Sequence, residues 1–398
     1  MPNKKILWIE VWSIAAVQGA ITLAWVIYNL YFPMLLVEFG FNRELAVTIL
    51  LIENAVESII EPVFGALSDR QQRLKGQKIT LILFGIILSS GLFILFPCLV
   101  IFSPGQSSAS AFRWLLPILA IVWATAMAVF RAPTMSLLGR CAPRDKLPQA
   151  ASILTLVRGA VGAFRFDTYG IILSLGTGFA FALGSFSLLI AAFVLRRLNP
   201  VDNLTREPDE PIKIPILLSS LIFATGIWVA WSLRFTIPTA NQFLQFQFGE
   251  DYGKTASTIF LILLGLAALP AGKIATKFQN FKTMLIGIAG TIIALGLLPL
   301  FPNSILPISL LIIFLSLILN GILPFILSLL PPDKSGLGMG LYFGGFGAGA
   351  SSFGFIFSRL DIWGFYSNII GAISCLTLFC FWLMLVKNRS DLTYDRFN

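Results

Sequence analysis

The sequence contains no histidine and only four cysteines, and Asp, Glu, Lys and Arg together make up 12% of it. Each shortage excludes something. Without histidine the commonest proton carrier near neutral pH is missing, so any proton carried by a side chain needs a carboxylate. Cys98, Cys141, Cys375 and Cys380 fall in or beside apolar stretches without metal-ligand spacing, which reads as reduced, structural thiols. A soluble domain carries roughly a quarter charged residues; half that share, with 57% apolar residues, excludes one. There is no Walker loop, nucleophile elbow or metal-ligand cluster, so no enzyme, cofactor or bound metal is expected. The formal net charge is +9, but the bases flank apolar stretches and form no separate patch, which excludes a nucleic-acid partner.

What is present is apolar length. Twelve apolar stretches of about 20 residues recur between residues 12 and 386, each long enough to cross a bilayer. Met1-Pro2-Asn3-Lys4-Lys5 is basic, but the apolar run after it is too long for a signal-peptide core and lacks a small-residue cleavage site. An uncleaved first helix is expected. That helix, 12–37, carries Gln18, Asn29 and the Tyr28/Tyr31 pair; the second, 45–67, carries Glu53, Asn54, Glu57 and Glu61. The third runs from Lys78 to about residue 102, the fourth (114–138) holds Arg131, the fifth holds Arg158, and the sixth ends at Arg196-Arg197.

The polar stretch 198–213, rich in proline and acid, divides the chain at its middle into 1–197 and 214–398. Helices seven and eight follow at 214–238 and 255–271; helices nine and ten end at Pro331-Pro332, helix eleven is glycine-rich from Gly336, and helix twelve ends near Lys387. After helix eight, Gly272-Lys273-Ile274-Ala275-Thr276-Lys277 echoes Gly65-Ala66-Leu67-Ser68-Asp69-Arg70, with Thr276 in place of Asp69 and Lys277 matching Arg70. The expectation is an all-α membrane protein of twelve helices in two six-helix pseudo-repeats about an axis along the membrane normal. Counted that way, the basic turns and both tails fall on one side, so both termini are expected in the cytoplasm and the chain in the plasma (inner) membrane among lipids.

Charges inside apolar spans normally face water or a partner. Glu53, Glu57 and Glu61 are spaced by four and share a stripe of helix two. Three stacked carboxylates repel if all are ionised, so at least one is expected to hold a proton. They read as a proton or cation site, or as ion-pair partners of Arg131 and Arg158, which lie at a similar depth. Arg131 is alternatively a fork for a substrate carboxylate or hydroxyl pair. Glu53 and Glu57, farther out, are the proton-coupling candidates, and Glu61 is expected to be held by Arg131. Arg234 is expected to snorkel to the interface. Trp25, Tyr28, Trp123, Trp228 and Trp231 read either as stacking surfaces for a sugar or as lipid anchors. Asn241, Gln242, Gln245 and Gln247 follow helix seven and line an outer vestibule or merely end the helix.

The stretch Gly65 to Lys75, with Asp69, Arg70 and Arg73, resembles the signature loop between helices two and three of major facilitator transporters. Gln72 stands where that family has a second glycine. Glu53-Asn54, Pro62 and Gly65-Ala66-Leu67-Ser68-Asp69-Arg70 resemble more closely the glycoside–cation symporter and sucrose-transporter branch. Arg131-Ala132-Pro133 through Ala142-Pro143 to Ala151 is similar to that branch's helix-four motif. Gly139-Arg140 replaces the branch's acid, and Arg158 interrupts its small-residue pair in helix five. The resemblance implies the major facilitator fold and alternating access, with the loops at Gly65 and Gly272 latching the inner face. It also implies secondary transport of a small polar molecule, a sugar or glycoside, with protons or another cation. Asp69 is expected against the inner end of helix eleven, near Gly336 to Gly340. Gln18, Tyr28, Asn29, Asn54, Glu61, Arg131 and Arg158 are the substrate or ion-pair candidates. The alternatives are a carrier or exporter of an amphiphilic compound, and a non-transporting assembly or pigment-handling protein on the same fold.

Overall fold

The structure is a computed structural model that describes residues 5–102, 111–165, 169–198, 214–357 and 364–394. Among the described residues it is helical and has no strand. The first half contains α1 (Trp8–Glu38), α2 (Arg43–Lys75), α3 (Ile79–Ile101), α4 (Leu115–Ser136), α5 (Leu147–Gly162) and α6 (Gly176–Leu198). The second contains α7 (Ile216–Gly249), α8 (Tyr252–Phe278), α9 (Asn280–Leu297), α10 (Leu306–Leu329), α11 (Ser335–Phe357) and α12 (Phe365–Tyr394). The linker expected at 198–213 lies, after Leu198, outside the described residues, as does Asp167.

Nine of these helices are long and apolar enough to cross a membrane by length and composition alone. The other three are α2, α5 and α11. Three glutamates interrupt α2, α5 has only 16 residues, and glycine dilutes α11. These are helices at the seams between the halves, where α2 packs along α11 and α5 along α8. A seam helix faces protein on both sides and does not need an apolar exterior all round.

Two expected turns are helical instead. α2 continues through Gly65 to Lys75 and stops only at Gly76, whose φ of 70° supplies the left-handed cap. No proline or second glycine intervenes after Gly65, and Gln72 propagates a helix better than glycine does. The echo at Gly272 to Lys277 likewise lies inside α8. Pro238, the expected end of helix seven, is accommodated within α7, which runs on to Gly249 with φ 77°. Proline inside a membrane helix is tolerated where neighbours satisfy the freed carbonyl. Asn241, Gln242, Gln245 and Gln247 therefore belong to α7, and Asn368 of α12 donates to Gln242 at 3.2 Å.

The buried apolar residues of both halves form one continuous core. In the first half, Tyr28 and Phe32 of α1, Phe93 and Phe96 of α3, Trp123 of α4 and Phe181 of α6 form one buried aromatic cluster. Contacts between rings set the spacing of four helices at one level. Trp123 is thus neither a lipid anchor nor an open stacking platform.

Candidate functional site

The halves are joined along α2 and α11, from Gly65 against Gly336 to Leu51 against Gly354; the end at Gly65 lies at the face that carries both described chain ends, called the inner face below. There Asp69 of α2 meets the first turn of α11: Gly336 N–H donates to its Oδ1 at 2.9 Å and Leu337 N–H to its Oδ2 at 2.7 Å. A helix N-terminus offers unpaired N–H groups and a partial positive charge, so a carboxylate is the fitting cap. The approach is close because Gly65 and Gly336 lack side chains; a Cβ on Gly65 would collide with the Gly336 carbonyl. Lys78, at the start of α3, completes the latch. Its Nζ donates to Asp69 Oδ1 at 2.5 Å, to Ser335 Oγ at 3.1 Å and to Ser136 Oγ of α4 at 3.2 Å, and its side chain is wholly buried. Burial pulls the Lys78 ammonium below its ordinary range, and Asp69 pushes the other way. In the sequence Lys78 reads as one more base at the start of a helix, and its place in the latch appears only in the structure. Arg70 and Arg73 are exposed, and the Lys75 side chain lies outside the described ones.

At the α5–α8 seam small residues come close. Gly272 packs on Pro148, Gln149 and Ser152, and Gly159 lies against Gly265. Asn320 of α10 donates to the Pro148 carbonyl at 3.0 Å. Thr276, the counterpart of Asp69, donates to Gly272 O of its own helix, and Lys277 lies over Phe278. The two echoing motifs therefore do different jobs. Among the described residues, α1 makes no extensive contact with the α7–α8 unit, so no seam of this kind joins them at the outer end.

Above the latch, Glu53, Glu57 and Glu61 are all buried. Arg131 of α4 bridges two of them, with Nη2 to Glu57 Oε2 at 2.8 Å and Nε to Glu61 Oε1 at 2.6 Å. A planar guanidinium reaches two carboxylates one helical turn apart, which groups Glu57 with Glu61 rather than with Glu53. The same guanidinium lies 5.1 Å from the Phe343 ring centre of α11, tying the bridge to the other half. Arg158 is exposed on α5 and within Coulombic range of the Tyr342 hydroxyl. The Glu57–Arg131–Glu61 bridge is complete without it.

Glu53 stands apart. It accepts a hydrogen bond from the Tyr28 hydroxyl, and no base contacts it among the described residues. Glu53 Oε2, Glu57 Oε1 and Glu61 Oε2 have no hydrogen-bond partner among the described residues. The amide candidates are turned inward on their own helix: Gln18 donates to Thr22 Oγ1, Asn29 to the Trp25 carbonyl and Asn54 to the Leu50 carbonyl. Trp231 donates to Ser352, and Arg234 is exposed beside the Phe353 ring. Among the described residues no group of His, Cys, Asp and Glu is placed to hold a metal ion.

By sequence, no family model and no curated protein matches the chain. By structure, solved proteins match nearly all of it. A bacterial homologue of the iron transporter ferroportin, in an outward-facing state with soaked iron, superposes with TM-score 0.71 at 14% identity, covering 95% of this chain and 99% of that one. The human organic anion transporter MFSD10 gives 0.65 at 12%, covering 96% and 99%. The proton:xylose symporter XylE, bound to 6-bromo-6-deoxy-D-glucose, gives 0.68 at 11%, covering 95% of each chain. At these identities the likeness is one of fold.

Proposed function

From the major facilitator fold and the Asp69 latch at its inner face, we propose that the protein is a secondary carrier that moves a small organic solute across a membrane by alternating access, coupled to protons. The bases flanking the spans make the latched face cytoplasmic, and the two six-helix halves rock about the level of Arg131. The three solved relatives described above are transporters whose printed cargoes differ, so the fold by itself selects none. The sugar or glycoside reading draws its support from the resemblance at Glu53 to Arg70 and Arg131 to Ala151, and from the sugar-bound relative. An amphiphilic cargo is the second reading, favoured by the exposed Arg158 and by amides that bond within their own helices.

Glu53 carries the coupling proposal. It is a buried carboxylate held by a hydroxyl and not by a base, in a chain without histidine. A group with no fixed countercharge exchanges a proton with less disturbance than one clamped in an ion pair. Glu57 and Glu61, bound to Arg131, hold the bridge. The test is uptake of labelled sugars into proteoliposomes with an imposed pH gradient. The wild type should accumulate solute, while Glu53→Gln should lose accumulation and keep exchange of solute at equal concentrations. Accumulation by Glu53→Gln equal to wild type would remove Glu53 from coupling, and uptake indifferent to the gradient would remove proton coupling.

A further inference from the structure

Around Tyr28, polar atoms without partners gather at one place. Trp25 Nε1 and Trp123 Nε1 are buried and have no acceptor among the described residues, and Glu53 Oε2 has no donor. The rings that carry them touch: Trp25 and Trp123 lie 5.0 Å apart between centres, Tyr28 and Trp123 4.7 Å, and Trp25 and Tyr28 5.6 Å. Tyr28 in turn donates to the other oxygen of Glu53. Two donors and one acceptor are thus carried by one cluster of touching side chains, with Trp123 wholly buried and Trp25 half-buried. Buried indole N–H and carboxylate groups are normally paired, because leaving them unpaired costs their desolvation.

We propose that Trp25, Trp123 and Glu53 form a subsite for a neutral, polyhydroxylated ligand, whose hydroxyls accept from the indole N–H groups and donate to Glu53 Oε2 beside the half-buried Trp25. A hydroxyl is the small group that does both at once. An organic anion is disfavoured beside a carboxylate, and a purely apolar ligand leaves all three atoms unpaired. The inference rests on the carrier reading and sharpens it, because proton and solute then meet at the same carboxylate. A proton on Glu53 turns an acceptor into a donor and changes how the ligand hydroxyl is held, which couples the two without a relay. Trp25, the half-buried member, is the edge from which the ligand enters.

Binding is measured on the purified full chain in detergent, by thermal shift and by tryptophan emission. The probes are glucose, xylose, sucrose and sorbitol, with benzoate as the anionic comparison. At least one polyol should raise the apparent melting temperature and perturb emission, and benzoate should do neither. Trp25→Phe and Trp123→Phe keep an aromatic ring but remove the N–H, and each should weaken polyol binding about tenfold, the size of one ligand hydrogen bond. Glu53→Gln should make the affinity independent of pH, where the wild type varies with it. If Trp123→Phe disturbs the fold, benzothienylalanine at that position replaces the N–H with sulfur at nearly constant volume. No polyol response in the wild type, or equal affinity in the variants, overturns the subsite. Polyol binding without proteoliposome uptake leaves the subsite and removes the carrier; uptake unchanged in the indole variants does the reverse.

Discussion

Where α2 meets α11, a carboxylate caps a helix and a buried ammonium braces it; where α5 meets α8, glycines make the contact, and an amide from α10 reaches the start of α5. The two places derive from the same motif in the two halves, Gly65 to Arg70 and Gly272 to Lys277. The difference lies in what each motif finds opposite it. Asp69 faces the start of α11, where Gly336 and Leu337 present free N–H groups. Gly272 faces the start of α5, where Pro148 has no N–H to give, and the contact there is to its carbonyl. A carboxylate at Thr276 would have little to hold. A repeated motif thus becomes a charged latch on one side and an apolar hinge on the other.

The largest expected effect breaks the charged side. Asp69→Ala strands the Lys78 ammonium in a buried place and uncaps α11, a loss of about 3–5 kcal/mol from the closed state. A cysteine placed on the inner part of α11 should then label from the latched face, and an unchanged labelling rate would show that the latch does not hold the state. Lys78→Met should cost less, about 1–3 kcal/mol, because Asp69 keeps both backbone donors while losing its charged one. Its melting temperature should fall between those of wild type and Asp69→Ala; a larger fall would make Lys78 the keystone. The smallest effect sharpens the contrast. Thr276→Asp restores the motif on the hinge side and should change stability by no more than about 0.5 kcal/mol, read by the same melting measurement. A clear gain would mean that the α5 seam has a donor for a carboxylate after all.

The twelve-helix order and the two-half plan are legible in the sequence because apolar length and basic flanks are strong, additive signals. The Glu57–Arg131–Glu61 contact is legible from spacing by four and from matching depth. Lys78 is not, since a base at a helix start serves as a topology signal whether or not it is buried. Trp25 and Trp123 are equally opaque: nine tryptophans occur, and nothing local to either one marks which helices will enclose it. The helical course of residues 65–75 is missed for a different reason. A glycine that permits close approach and a glycine that ends a helix look alike until the next one, Gly76, is seen to take the positive φ.

The latch also has a place in time. Asp69 and the N–H it caps on Gly336 are 267 residues apart, whereas Asp69 and Lys78 are separated by 9 and the Arg131 bridge lies wholly within the first half. At synthesis rates of roughly 5–20 residues per second, Asp69 waits about 13–50 s for Gly336 to arrive. During that interval Glu57 and Glu61 already have Arg131 and Asp69 already has Lys78, while the helix cap and the Lys78–Ser335 bond are outstanding. The first half therefore leaves the ribosome with its Arg131 bridge and its Asp69–Lys78 pair in place, ready to receive the start of α11.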